Sequence, residues 1–410
     1  MLYFQVKSAD EARRLLNPTP RDVGAERVSL DRALHRVLYG TLAAPESLPP
    51  FRRAVVDGYA VRAADTFGAG AGSPAYLNLR GEVTMGETAA LDVPTGGTVR
   101  IATGAMLPDS ADAVVMVEYT DTLGDLIEVT RAAAPGEGIV EVGDDIRLGD
   151  PVLTGGSLLR PQDIGLLAGL GITEVDVYRR PRIAVAPTGD EVVSADQAPP
   201  PGKIRDINTS ALCAAVEDAG CVPVPYPITP DDPQALRALV QRALDETDLV
   251  LIAGGSSVGP RDWTLEVLLS FPDSVLLLHG VSIRPGKPVI GVAVGDRLVV
   301  GLPGNPVSAL VVFDQFVRPH LRRLAGEQPR AGTLAAELRA RLTRSYASDP
   351  GKEDYVRVRL RQQGGVWEAE PILGRSTLLS TLTEADGWFV VPAGDEGLEA
   401  GAEIRVILCR

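Results

Sequence analysis

Histidine and cysteine are the scarcest reactive side chains in this sequence, with three of each among 410 residues. Cys213, Cys221 and Cys409 are scattered without CxxC spacing, which supports neither a zinc site nor a disulfide framework. His35, His279 and His320 supply histidine-based metal or triad chemistry only poorly. Long apolar runs are also lacking, since no stretch reaches the roughly 18 residues of a membrane helix. The opening MLYFQVKSADEARR has no apolar signal core, so a cytoplasmic protein without a membrane span is expected. An excess of positive charge is missing too. The net charge of −14 argues against nucleic acid as a partner, because phosphate binding draws on accumulated Lys and Arg. An anionic ligand would need a local basic pocket, and carboxylates and backbone amides remain as the chemical tools.

Apolar residues make up 45% of the chain, ample for packed cores, and the length points to about three domains. From Ser8 to Leu38 the spacing is helical, with Ala12, Leu15 and Leu16, then Leu30, Ala33, Leu34 and Val37 three or four residues apart. Residues 55–150 alternate short Val/Ile/Thr stretches with Gly clusters and read as a small β domain. A short helix at Pro161 to Ala168 and the strand-like TEVDVY lead to a junction at Arg179-Arg180-Pro181. Beyond it the texture is βαβ: strands at Arg182 to Ala186 and Leu249 to Ala253, helices at Thr209 to Ala219, Pro233 to Leu244 and Asp262 to Leu269. A strand at Val275 to Leu278, a pair at Val289 to Val294 and Leu298 to Val300, and one helix from Pro306 to Leu324 complete it. The expected fold class is therefore a multidomain α/β chain whose central domain is a doubly wound, mostly parallel sheet, with ligands beyond the carboxyl ends of its strands. After Gly326, the runs YVRVRL, VWEAEPI, GWFVVP and EIRVIL predict a C-terminal β domain.

Four loops fall at such strand ends. IRPGKPVIGV (Ile283 to Val292) and GLPGNPVSAL (Gly301 to Leu310) are stiffened by Pro and allow close backbone approach at Gly. Arg284 and Lys287 add positive charge, and Asn305 with Pro306 reads as an N-cap and first helical residue, a start suited to an anion. GGSSVGPRDW offers Gly254, Gly255, Ser256, Ser257 and Gly259 as a nest for an oxyanion, without the Gly-Lys-Ser/Thr of a P-loop. Asp262 either caps the next helix or holds Mg²⁺ beside a phosphate. Thr188-Gly189-Asp190-Glu191 ends the first strand of the same sheet; its acids are either solvated or part of a cleft that handles an anion with metal assistance. Each loop alone is an ordinary turn; the four together point to one ligand site.

VVDGYAV (Val55 to Val61), ATGAMLP (Ala102 to Pro108), PTGDE, GGSSVGPRD, RPGKP and GLPGNPVS resemble the molybdopterin molybdotransferases, the MoeA family that includes the E domain of gephyrin. The resemblance covers essentially the whole chain in the family's order. It implies a mixed N-terminal domain over 1–45 and 150–178, an inserted β domain over 46–149, a MogA-like molybdopterin-binding domain over 179–326 and a C-terminal β domain over 327–410. It implies a homodimer whose cleft is shared between subunits, with adenylylated molybdopterin and molybdate as substrates, Mg²⁺ as cofactor and AMP as product. Contacts with the adenylylating protein or with acceptor molybdoenzymes follow from the same resemblance. By it, Asp57, Thr103, Glu191 and Asp262 form the catalytic set, with Asp57, Glu191 and Asp262 around the metal. The glycines and serines of the nest, Arg284, Lys287, Pro303, Asn305, Pro306 and Ser308 line the pocket, and Arg357 and Ser376 reach it from the last domain. His279, just before Gly280-Val281, lies near the pocket in this reading. Departures are Val55-Val56 where Ala-Met is usual, and Arg284 where Lys is common, a fork in place of a point charge. The alternatives are an adenylyltransferase of the same sheet fold, which lacks the β domain carrying Asp57 and Thr103, and a non-catalytic binding or scaffold protein.

Overall fold

A computed structural model describes residues 6–254, 263–328 and 337–409. Its centre is a six-stranded sheet in the order Val222–Pro225, Arg182–Pro187, Leu249–Ala253, Arg297–Leu302, Ile290–Val294, Ser274–His279. The first four strands are parallel, and the last two are each antiparallel to the neighbour before. Alternation along a strand sends successive side chains to opposite faces. Leu249, Leu251 and Ala253 thus join one core with helix Asn208–Asp218 and the segment from Pro306 onward. Val250 and Ile252 join the other with helices Pro233–Glu246 and Trp263–Leu269. The expected single helix from Pro306 instead runs as Pro306–Val312, a π-helical Phe313–Val317 and Arg318–Leu324. Pro319 has no N–H for a regular α-turn, and the wider turn sits just before it.

The helical expectation for residues 8–38 holds only at its start. Ser8 and Glu11 form a capping box for helix Ala9–Leu15, and the chain then meets Pro18 and Pro20. Ala25–Ser29 is a strand, antiparallel to Glu174–Tyr178, and Leu30–Arg32 is a single 3-10 turn. Residues 25–43 and 151–177 share a core of Ala33, Leu38, Leu159, Leu167, Val175 and Val177. Sequence order groups the first helix with them; its buried Ala9 and Ala12 instead belong to the central core.

Between those halves lies a six-stranded sheet in the order Ala113–Met116, Gly58–Val61, Gly97–Ile101, Ala75–Val83, Leu126–Val129, Thr120–Leu123. It carries a separate apolar cluster on each face. At the C-terminal end, Glu353–Gln363 pairs with both Val366–Pro371 and Gly387–Val391. With Glu337–Leu342 and Glu403–Leu408 this closes a five-stranded barrel around Val358, Phe389, Val391 and Val406. Ile283–Arg284 adds to its rim, parallel to Glu353 and Asp354.

Candidate functional site

The carboxyl ends of the central strands face the barrel across a cleft of about 1200 Å³. Parallel strands end here in loops that carry Thr188 and Glu191, Gly254, and Pro303 to Asn305, the last leading into the helix with Pro306 and Ser308. Arg284, Gly286 and Lys287 form a further edge, and the barrel contributes Tyr346, Asp354, Arg357 and Ser376. The cleft therefore gathers Glu191, Gly254, Arg284, Lys287, Pro303, Asn305, Pro306, Ser308, Arg357 and Ser376, all named from sequence. Gly255, Ser256, Ser257, Gly259 and Asp262 lie outside the described residues. His279 is not among the lining residues.

Glu191 is exposed, and its carboxylate makes no hydrogen bond or ion pair among the described residues. It folds back over Gly189, where a Cβ would lie 2.6 Å from Glu191 Oε2. Gly189 has φ +137, and that conformation calls for glycine there; the Glu191 carboxylate, at the end of a flexible exposed side chain, could move aside. Asn305 occupies the N-cap position of Pro306–Val312 without a side-chain bond to the helix. The loop is tied instead by Asn208, whose Nδ2 donates to the Gly304 carbonyl at 2.8 Å.

Arg284 lines the cleft but is engaged by the barrel. Its guanidinium donates to Asp354, to Asp349 at 3.1 Å and to the Tyr346 hydroxyl at 3.3 Å. Asp354 is only 2% exposed and also accepts from Tyr346 and Ser348. Arg357 is different. It is 7% exposed and among the described residues donates only to neutral oxygens, Thr381 Oγ1 at 2.6 Å and the Gly374 carbonyl at 3.2 Å. Its Nε has no hydrogen-bond partner, and burial pushes its pKa below the usual arginine range. Among the described residues no carboxylate is hydrogen-bonded to this buried cation, although the charge of Asp354 acts on it and favours its charged form. Asp354, Tyr346 and Asn208 were not singled out from sequence. The one available signal was the Glu353-Asp354 pair that opens the strand Glu353–Gln363.

Asp57 and Thr103 do not line this cleft. They sit together on exposed loops at the ends of two adjacent inner strands of the six-stranded β sheet, Gly58–Val61 and Gly97–Ile101, where Thr103 donates its amide and hydroxyl to Asp57 Oδ1 at 2.7 and 2.8 Å. Those two bonds hold the Asp57 carboxyl below its ordinary pKa. Among the described residues no group of three or more His, Cys, Asp or Glu side chains is arranged to hold a metal ion. Nor is any described helix long and apolar enough to cross a membrane.

Architecture and cleft together define a multidomain protein built around an α/β domain with a ligand-sized cleft at the carboxyl ends of its strands. Residues 184–323 match the family described as "Probable molybdopterin binding domain". Residues 7–171 match "MoeA N-terminal region (domain I and II)" and residues 339–409 "MoeA C-terminal region (domain IV)". The chain is 34% identical over 408 residues to "Molybdopterin molybdenumtransferase 2" of Mycobacterium tuberculosis, covering 98% of this chain and 99% of the relative. It is 31% identical over 407 residues to "Molybdopterin molybdenumtransferase" of Bacillus subtilis, covering 98% and 94%. The crystal structure of a molybdopterin biosynthesis MoeA protein from Pyrococcus horikoshii OT3 superposes with a TM-score of 0.85 at 31% identity, over 99% of this chain and 100% of that one. The chain belongs to the MoeA family.

Proposed function

We propose that the protein is a molybdopterin molybdotransferase of molybdenum cofactor biosynthesis, which takes adenylylated molybdopterin and molybdate and releases AMP. The observation that carries the reading is Arg357, a buried arginine to which no carboxylate is hydrogen-bonded among the described residues, in a cleft that also presents Lys287, Ser376 and the carboxylate of Glu191. Molybdate is a tetrahedral dianion, matched by guanidinium, ammonium and hydroxyl donors such as Arg357, Lys287 and Ser376. The Pro303–Pro306 loop and the central strand ends form the opposite wall, which orients the pterin phosphate and limits water.

Glu191 suits Mg²⁺, which binds through one or two carboxylates together with substrate phosphates and water. Its unengaged carboxylate fits that role, with Asp57 and Asp262 as the further ligands. When bound, the ion would neutralise the pyrophosphate from which AMP departs. Asp57 and Thr103 lie outside the cleft of their own chain, which supports a two-fold dimer in which the β sheet of one copy completes the cleft of the other.

Purified protein incubated with adenylylated molybdopterin, Mg²⁺ and molybdate should release AMP only when molybdate is present. No release, or release indifferent to molybdate, overturns the reading. Asp57→Ala and Glu191→Ala proteins, each inactive, should regain activity on mixing; failure with subunit exchange verified would place each site within one chain.

A further inference from the structure

Thr188 ends the Arg182–Pro187 strand and lines the cleft, yet no role has been given to its hydroxyl. Its backbone is anchored in the sheet: the amide donates to the Ala253 carbonyl at 3.0 Å, and the residue bridges to Thr229 in parallel register. The side chain is therefore held in place by the sheet. Thr188 is 6% exposed, and Oγ1 is shielded from water and has no hydrogen-bond partner among the described residues. A buried hydroxyl in that state is a net cost to the fold, since unfolding would return it to water.

Its surroundings indicate what it waits for. A Cβ on Gly254, at φ +112, would stand 2.6 Å from the Thr188 carbonyl and 3.0 Å from Oγ1, so glycine keeps the space beside the hydroxyl clear. On the other side Gly189 carries the folded-back carboxylate of Glu191. Across the cleft the only other buried polar atom of the lining without a partner, among the described residues, is Arg357 Nε on the cation already described. Two cleft-lining residues thus each keep a buried donor without a partner among the described residues.

We infer that Thr188 Oγ1 is a substrate-binding donor, giving a hydrogen bond to an oxygen of a tetrahedral oxyanion held at the floor of the cleft beside Glu191. This rests on the functional reading above. The oxyanion is either the phosphate of the nucleotide or molybdate; both present the same acceptor chemistry. The bond forms out of contact with water, so its loss is not made good by solvent.

The test compares Thr188→Val, which keeps the shape and removes the hydroxyl, with Thr188→Ser, which keeps the hydroxyl. Each full-length protein is titrated calorimetrically with AMP and, separately, with molybdate, and its unfolding temperature is measured. Thr188→Val should bind at least one of the two ligands about tenfold more weakly while melting at or above the wild-type temperature. Thr188→Ser should retain wild-type affinity. A loss confined to AMP assigns the hydroxyl to the phosphate; a loss confined to molybdate assigns it to the metal oxyanion. Unchanged affinity for both ligands in Thr188→Val overturns the inference and leaves the functional reading intact, as does a lowered melting temperature with normal binding. If the wild-type protein binds neither AMP nor molybdate, the functional reading itself fails and the assignment fails with it.

Discussion

Thr103 gives two hydrogen bonds to a single oxygen of Asp57, from its amide at 2.7 Å and its hydroxyl at 2.8 Å. Both donors favour the charged carboxylate, and so the Asp57 pKa is depressed. Thr103→Val keeps the amide and removes the hydroxyl. Asp57 should then titrate closer to an ordinary carboxyl, which carboxylate carbon NMR shifts would report. The pH sense follows: Asp57 favours the fold above the unfolded carboxyl pKa, and that preference is lost as pH falls through the folded value. On the proposed reading, AMP release should drop about tenfold, as for loss of one transition-state contact.

The Arg284–Asp354 pair predicts a stability effect where the sequence suggested only a ligand contact. Arg284→Ala leaves Asp354 buried without its cation, and urea unfolding should show a loss of about 3 kcal/mol, the low end for a broken buried pair. The low end applies because the Arg284 side chain is 37% exposed. Arg284→Lys should recover only part of it, since one ammonium cannot span Asp354, Asp349 and Tyr346 as the fork does.

His320 gives a prediction in pH. It is 4% exposed on helix Arg318–Leu324, and burial, aided by Arg323, lowers its pKa to about 4. Its stabilising effect is complete above the unfolded value near 6.5 and is lost as pH falls toward 4. The loss is on the order of 3 kcal/mol across that window. His320→Leu should flatten that part of the stability-against-pH curve relative to wild type, measured by urea midpoints.

Asp248 lies at the amino end of the Leu249–Ala253 strand, away from the cleft. Burial raises its carboxyl, but hydrogen bonds from Arg179, the Arg182 amide and Arg21 outweigh this and hold it below the ordinary value. Asp248→Asn should cost about 2 kcal/mol in unfolding, discounted for the partly exposed arginines. Affinity of the cleft for molybdate should not change, which calorimetric titration checks.

Most of the central sheet was legible because its elements carry a local sign; the edge strand Val222–Pro225 was not, because Pro223 and Pro225 break the strand pattern. Leu249–Ala253 is a continuous apolar run, and Pro233–Glu246 opens on Asp232, whose side chain accepts from the Ala235 amide at 2.7 Å. Ala25–Ser29 was not legible, because what makes it a strand is Glu174–Tyr178, about 150 residues away, and no local period contains that partner. In the site, charge type showed which residues to choose but not their company. Arg284 and Arg357 look alike in sequence; one is held by two carboxylates and the other, among the described residues, donates only to neutral oxygens. That difference depends on packing between two sheets brought together by the fold.

The Ile283–Arg284 strand belongs by chain order to the central domain and by hydrogen bonding to the barrel. The two units are thus not interchangeable parts joined by a tether. A fragment ending near residue 328 would keep every strand of the central sheet, yet the Arg-Pro-Gly-Lys-Pro loop would lose the edge that sets its course and the cleft would keep one wall. A chimera that grafts a foreign C-terminal barrel onto this chain must therefore supply a compatible strand edge at the positions of Glu353 and Asp354, whatever else it supplies.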